Sequence, residues 1–344
     1  KELVGKKYKP LFDYFINGRE AGDNGNGWQV YSGDFVNTEE GTGIVHIAPA
    51  FGEDDMELGK KYGLPFIQHV DKNGRFADCV TEWAGREVKP KEDPQATERE
   101  IIDALRKKGM VFREENYTHN YPHCWRCDTP LLNYAADSWF VEVTKFKENL
   151  VDNNKNIHWV PAHIKEGRFG KWLEQAKDWA ISRNRYWGTP LPVWECRACG
   201  KRTVIGSRKE LEEASGQTVS DLHKHLVDEL TWKCSACGGE MKRISEVLDC
   251  WFESGSMPYA QQHYPFEEKE KFEKNFPADF VAEGIDQTRG WFYTLMVLSS
   301  ALFGRETFQN VIANGIVLAE DGQKMSKSKQ NYPDPEEVFD KYGV

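Results

Sequence analysis

Apolar residues recur along this chain at two spacings. Around position 100 the spacing is helical: Ile101, Ile102 and Leu105 share one face of a segment spanning 97–108, with Gly109 placed to end it. A second helix is predicted where Glu53, Asp54 and Asp55 open a stretch that stops before Gly63, because carboxylates favour the positive end of a helix. Strand-like runs are predicted at 28–36 and at 43–48, the latter halted by Pro49, with a glycine- and asparagine-rich hairpin tip at 22–27. Later, residues 280–303 read as strand, polar turn and helix, and 311–318 as a buried strand broken at Gly315. Shorter helices are expected at 171–176, 207–214 and 333–342.

At 344 residues the chain exceeds what one core usually serves, so two or three domains are expected. A hydrophobic fraction of 39% and an aromatic fraction of 13% suit packed cores and exclude disorder. No apolar run approaches about 18 residues, so no segment is expected to span a membrane. The opening residues, Lys1 to Gly5, lack the apolar centre of a secretory signal and an initiator Met, which suggests an internal fragment in a reducing, cytoplasmic setting. The net charge of −10 excludes a surface that holds nucleic acid everywhere, while leaving room for a local basic groove.

Six of the eight cysteines form C-x-x-C pairs. Cys196/Cys199 and Cys234/Cys237 are each followed by glycine and are expected to hold one structural Zn2+ through four thiolates, with no open position for catalysis. Cys124/Cys127 is a half-site that needs two more ligands. Cys79 and Cys250 are expected to pack, and His223 and His225 to sit at the surface. The loop 321–329 carries Lys324, Lys327 and Lys329 among hydroxyls behind Gly322, a flexible cationic segment suited to a triphosphate. At the strand–turn–helix of 280–303, Gly284 permits close approach of a nucleotide, and Asp286 suits either a ribose hydroxyl or a helix cap. Arg183 and Arg185 lie among aromatics; they suit an RNA acceptor end, or else clamp a loop onto the core. His46 in an apolar run reads as a core histidine or a pocket residue, and Asp55 as dipole compensation or an ammonium ligand.

Taken in order, these motifs resemble the isoleucyl family of class I aminoacyl-tRNA synthetases. Lys324-Met325-Ser326-Lys327-Ser328 is similar to the signature loop of the class. The stretch from Gly41 to Pro49 followed by Asp55 resembles the editing signature, and 178–190 resembles the string that re-enters the catalytic domain. The resemblance implies an α/β fold: the second half of a Rossmann-like doubly wound catalytic domain, a partial mixed α/β-barrel-like editing domain inserted in it, and a small zinc-knuckle insertion. Its segments would be 1–120 (end of the editing domain), 121–192 (return to the catalytic domain), 193–247 (zinc-binding insertion), 248–330 (second catalytic half with the lysine loop) and 331–344 (start of a stem-contact helix toward the anticodon side).

By the same resemblance, Glu283, Gly284, Asp286 and Gln287 would contact the aminoacyl-adenylate. Trp251 and Trp291 would wall the isoleucine side chain, the backbone near Gly315 would hold adenine, and Lys324 and Lys327 would stabilise the phosphates. Asp55 would grip the α-ammonium of a mischarged amino acid while His46 bars isoleucine, and Arg183 and Arg185 would meet tRNA. In the family Cys124 and Cys127 pair with another C-x-x-C that this chain lacks, so that half-site is expected to be metal-free or weakly loaded. The implied activity joins isoleucine to tRNA(Ile) with ATP and Mg2+, releasing AMP and pyrophosphate, and hydrolyses mischarged valyl-tRNA; the protein would be a cytoplasmic monomer with structural Zn2+. The resemblance departs at the front, where neither a histidine-glycine-histidine motif nor a threonine-rich editing peptide is found. The chain by itself is therefore expected neither to charge tRNA nor to edit. A valyl relative is the alternative disfavoured by His46, Trp251 and Trp291. A non-catalytic zinc-knuckle RNA-binding module would explain the cysteines but leave the lysine loop and adenylate turn without purpose.

Overall fold

The computed structural model describes residues 2–16, 25–37, 42–124, 127–326 and 329–343. Part of the hairpin tip expected at 22–27 therefore lies outside the described residues, as do Gly41, Lys327 and Ser328. The chain forms two compact units, Lys1–Asp137 and Ser138–Val344. Among the described residues no helix is long and apolar enough to cross a membrane.

The first unit contains α1 (Glu53–Tyr62) and α2 (Ala96–Lys107). Three carboxylates in the first turn of α1 and two lysines in its last turn match the helix dipole, and Gly63 closes it in the left-handed region at φ 61°. In α2 the expected apolar face is half-buried. Past its end, Gly109 N–H donates to Arg106 O and Met110 N–H to Leu105 O, the paired bonds of a glycine-terminated helix. The strands predicted at 28–36 and 43–48 do not form. Backbone pairing among the described residues of this unit is confined to isolated bridges such as Lys7 with Gln29 and Val70 with Phe76, so no barrel is built from them. The physical reason is that an apolar run becomes a strand only when a neighbour supplies the ladder, and 42–48 has none here.

After a two-residue strand at Phe140–Val141, the second unit forms α3 (Lys147–Lys155) and β1 (His158–Val160). It then makes β2 (Val193–Cys196), β3 (Arg202–Val204), α4 (Arg208–Ser215), β4 (Trp232–Lys233) and β5 (Glu240–Arg243). It returns through α5 (Cys250–Gly255), β6 (Ala278–Gly284), α6 (Trp291–Phe303) and β7 (Phe308–Asn314), and ends in α7 (Pro335–Tyr342). The three strands β6, β7 and β1 form a parallel sheet in that order, with Gly284 opposite Asn314 and Ile312 opposite Val160. The antiparallel sheet β3-β2-β5-β4 stands apart from it.

Helix α6 is apolar around most of its circumference because it is enclosed: Phe292, Leu295, Met296 and Val297 pack with Val311 and Phe308 of the sheet and Leu150 of α3. Each such fully buried side chain is worth about 1.5–3 kcal/mol. Its buried hydroxyls are satisfied locally. Ser299 donates to Arg305 O at 2.7 Å, and Ser300 accepts from Asn153 at 2.9 Å. Helices cover that face of the sheet, whereas the other leaves Phe280 and Ile312 exposed, so the second layer expected of a doubly wound sheet is not seen among the described residues. The antiparallel sheet has a core of its own around Trp194, Leu211 and Met241. Arg243 pins its two ends together, donating to Leu191 O where the chain enters and to Glu246 O where it leaves.

Candidate functional site

A strand that ends beside another strand of the same direction leaves its last carbonyls and amides open, and a helix starting there adds its N-terminal amides. Strands β6 and β7 end together at Gly284 and Asn314; the buried strand expected through 318 stops before Gly315, and Ile316, Val317 and Leu318 beyond it are exposed. Glu283 pairs with Ala313 one register step earlier and its side chain is exposed. Asp286 and Gln287 lie on the tight turn Ile285–Arg289 that joins β6 to α6. A Cβ on Gly284 would lie 2.5 Å from Asp286 Oδ1, so any side chain there would have to displace that carboxylate.

Gln287 is used by the fold: its Oε1 accepts from Trp291 N–H at 3.0 Å and so caps α6, while its Nε2 lies 3.3 Å from Asp286 Oδ2. The Trp291 indole donates to Ser254 O at 3.0 Å, which ties α6 to α5. Trp251, on α5, sets its ring edge against Gly290, where a Cβ would stand 3.2 Å from the indole. Gly255 closes the same interface: a Cβ there would meet the Thr294 backbone at 3.0 Å. Trp251, Gln287 and Gly290 thus lie together at the head of α6, where the Trp291 indole reaches back to α5, and Trp251 is 41% exposed and open to a ligand. Behind the turn, Thr288 is fully buried, accepts from Arg168 Nε at 2.9 Å and donates to Ile285 O at 2.7 Å.

Beyond Gly315 the chain makes a small hairpin in which Leu318 bridges to Lys324, and Ala319 N–H donates to Gln323 O at 2.8 Å. Asn331 locks its far side, accepting from Ser326 N–H at 2.9 Å and donating to Lys324 O at 3.3 Å. Lys324 is therefore fixed by its backbone, and Lys327 lies outside the described residues.

Arg183 is placed as a clamp. Its Nη1 donates to Ala180 O and Ser182 O at 2.9 and 2.8 Å, and its Nη2 to Asp249 Oδ2 at 2.5 Å. Those contacts engage the guanidinium internally, the second of the two readings open from sequence, whereas Arg185 is exposed beside Tyr186 and Trp187. Asp249, Arg168, Thr288, Gly255 and Gly290 escaped the sequence reading. Only Asp249 carried a local signal, an aspartate directly before a helix.

The thiols of Cys196, Cys199, Cys234 and Cys237 lie within 4.8 Å of one another, with Cys196 to Cys237 at 3.5 Å and Cys199 to Cys234 at 3.8 Å. A tetrahedral ion with metal–sulfur bonds of about 2.3 Å requires sulfur pairs about 3.8 Å apart, so the four donors fit one metal. Both pairs sit on the same turn: Cys196 N–H donates to Lys201 O and Gly200 N–H to Cys196 O, and Cys234 and Gly238 repeat this with Gly239. Amide donation from Ala236, ahead of that from Cys237, brings the Cys234 thiol down to about 7, whereas, against amide donation from Gly239, hydrogen bonds with Cys199 and Cys196 push Cys237 up to about 12, so thiols this close share protons until a cation displaces them. Cys124 N–H donates to Thr129 O and Asp128 N–H to Cys124 O, the same turn once more, but no second pair faces it among the described residues.

In the first unit His46 is exposed on the irregular stretch 42–48. Asp55 turns back on that stretch, accepting from Ala48 N–H at 3.1 Å through Oδ2. His69 packs between Phe51 (4.8 Å) and Phe76 (6.1 Å). Burial lowers its pKa, against a hydrogen bond with the Ile67 backbone, and the proximity of His46 lowers it further.

The model for class I tRNA synthetases (I, L, M and V) matches residues 61–344. The whole chain is 56% identical over 349 residues to an isoleucine–tRNA ligase of Treponema denticola, covering 31% of that protein, and 52% identical over 346 residues to one of Clostridium tetani, covering 32%. The chain thus spans about a third of the length of these relatives. Among solved structures, a leucyl-tRNA synthetase ternary complex of Agrobacterium radiobacter K84 is 23% identical, with a TM-score of 0.37 over 53% of this chain and 26% of that one, too distant to carry an inference. By the extent of the family match and the identity of its relatives, this chain belongs to the class I tRNA synthetases.

Proposed function

We propose that this chain is a segment of an isoleucine–tRNA ligase, carrying the isoleucine-binding and adenylate-binding half of its catalytic centre. The observation that carries the reading is that Trp251 stands against Gly290 while the Trp291 indole bonds Ser254 O, at the head of the helix that follows the paired ends of β6 and β7. Two indoles at the head of a helix offer an apolar wall to a branched side chain. The glycine-flanked strand ends leave backbone groups for a nucleotide. Asp286 and Glu283 would take ribose hydroxyls and the α-ammonium, Gly284 and Gly315 would let the adenylate approach the backbone, and Gln287 would orient the turn. Lys324 and Lys327 would follow charge onto the leaving pyrophosphate, with Mg2+ accompanying ATP.

In this reading residues 1–120 belong to an editing domain, 121–192 and 248–330 to the catalytic domain, 193–247 to a metal-binding insertion, and 331–344 to a helix leading toward the anticodon side. Asp55 would grip the ammonium of misactivated valine and His46 would exclude isoleucine, because a missing methylene gives only modest discrimination, a limit for which this enzyme type is itself the reference case. Zn2+ would occupy the four-thiolate cluster in a structural role, and Arg185 with its aromatic neighbours would meet the tRNA acceptor end. The test is amino-acid-dependent ATP–pyrophosphate exchange by the full-length protein carrying this segment. Isoleucine should drive exchange far better than valine, and Lys327→Ala should slow exchange much more than it weakens isoleucine binding. Exchange driven equally by valine, or not at all, would overturn the reading.

A further inference from the structure

We infer that Arg183, acting through Asp249, is a positioning residue for the amino-acid pocket: the Arg183–Asp249 pair sets the helix that carries Trp251. The inference rests on the isoleucine reading of that pocket. Asp249 has 5% of its side chain exposed, so its charge is held away from water and needs partners. It has three. Oδ2 accepts from Arg183 Nη2 at 2.5 Å, while Oδ1 accepts from Trp251 N–H at 3.2 Å and lies 3.5 Å from Cys250 Sγ. One carboxylate therefore caps α5 with one oxygen and is held by the guanidinium with the other.

The guanidinium is itself fixed, because Nη1 donates to Ala180 O and Ser182 O. The backbone repeats the connection: Asp249 N–H donates to Ile181 O at 2.7 Å, and Ser182 and Arg183 pair with Leu248 and Val247. Helix α5 is a short element, and Trp251 stands in its first turn next to the cap. At its other end, Gly255 presses on Thr294, Ser254 O accepts from the Trp291 indole, and Glu253 Oε1 accepts from Thr189 N–H at 3.0 Å. The helix is thus gripped by α6 on one side and by the arginine–aromatic string on the other, and its orientation decides where the Trp251 indole stands.

Removing the guanidinium strands a buried carboxylate, which then turns toward other donors or takes up water. Either response moves the cap and with it the indole. The expected outcome differs from that of a tRNA-contacting arginine, which would alter charging and leave amino-acid activation untouched. The experiment compares Arg183→Gln, Asp249→Asn and the double variant in the full-length protein, by isoleucine- and valine-dependent pyrophosphate exchange and by tRNA charging. Arg183→Gln should raise the isoleucine KM by about 10- to 100-fold, the scale of a lost apolar contact in a side-chain pocket, and narrow the isoleucine-to-valine ratio while moving kcat much less. The double variant should be no worse than the worse single one, because both break the same pair. Arg183→Lys keeps a charge for Asp249 but loses the fork onto the two carbonyls, and should fall between; it carries the test should the glutamine variant not fold.

An unmoved isoleucine KM in Arg183→Gln, or a rise in the tRNA KM alone, would overturn the inference. A fall in kcat equal for both amino acids, with both KM values kept, would overturn it as well, since that marks a general loss of structure. A parent protein that exchanges with isoleucine while these variants leave KM unmoved sinks the inference only. A parent with no isoleucine-dependent exchange sinks the pocket reading itself.

Discussion

Gly290 is where the two helices of the proposed pocket meet, and its substitution by alanine gives a prediction whose size follows from two contacts. A Cβ there would stand 2.8 Å from Gln287 Oε1 and 3.2 Å from the Trp251 ring. The amide oxygen can rotate away, but it then releases the Trp291 N–H it now caps, a loss of about 1 kcal/mol for a hydrogen bond of this kind. The indole must give way as well, because 3.2 Å is inside the usual carbon contact of about 3.5–4.0 Å. It must shift by a few tenths of an ångström, and crowding of this sort costs about 1–3 kcal/mol. Together these come to about 2–4 kcal/mol. If the strain falls on the isoleucine-bound state, it reads as a rise in isoleucine KM of about 30- to 700-fold, at about 1.4 kcal/mol per tenfold. The assay is isoleucine-dependent pyrophosphate exchange by the full-length protein, with the ATP KM and the melting temperature measured alongside. Gly290→Ala should raise the isoleucine KM and leave the ATP KM nearly unchanged. An isoleucine KM within about twofold of the parent, less than 0.5 kcal/mol on the same scale, together with an unchanged melting temperature, would refute the claim that Trp251 is seated against this glycine in the working enzyme.

Three further outcomes follow from other parts of the molecule. Cys234→Ser should reduce bound metal from about one ion per chain to a small fraction and lower the melting temperature, measured by elemental analysis and thermal denaturation; full metal retention would contradict a four-thiolate site. For the proposed editing residue, Asp55→Asn keeps an acceptor for Ala48 N–H while removing the charge. It should therefore lose valyl-tRNA deacylation with little loss of stability, whereas Asp55→Ala should lose both; deacylation retained by the asparagine variant would remove the ammonium role. Burial holds the His69 imidazole below its ordinary 6.5, so the unfolded chain binds the proton more readily. Stability present above the unfolded pKa is lost as pH falls from there toward the folded value. Denaturation at about pH 7.5 and about pH 5.5 should show a loss that His69→Phe reduces, and equal losses would refute it.

How much of this was legible in the sequence depended on whether the cause was local. Helix α2 was readable because Ile101, Ile102, Leu105 and Gly109 carry both its face and its end. The strand–turn–helix around Asp286 was equally readable, since an apolar run, a polar turn with glycines and a long apolar helix follow one another within it. The runs at 28–36 and 43–48 failed because their composition says only that a strand would be tolerated, while a ladder needs a partner. Arg183 was left with two readings because its decisive contact, with Asp249, joins positions far apart in the chain. Gly290 gave no signal at all. Its need for a missing side chain arises from Trp251, which reaches it only after α5 has packed on α6.

The cysteines separate what spacing determines from what it does not. Three C-x-x-C pairs make one and the same turn, in which the first cysteine accepts from the fourth residue after it and donates to the fifth. Gly200 and Gly238 occupy the fourth place at φ 72° and 74°, and Asp128 holds it at 58°, a conformation that aspartate tolerates better than most side chains. The turn is thus a property of the short sequence and forms with or without a glycine. What sets Cys196, Cys199, Cys234 and Cys237 apart is that strands β2 and β5 bring two such turns face to face, and that Cys196 and Cys234 are buried at 1% and 3% exposure. Cys124 and Cys127 have the turn without the facing partner, and Cys127 is exposed. A chelator titration should therefore release metal from the paired turns in a single step. A second step of comparable affinity would mean that one turn alone suffices, and that the packing of β2 on β5 is not what creates the site.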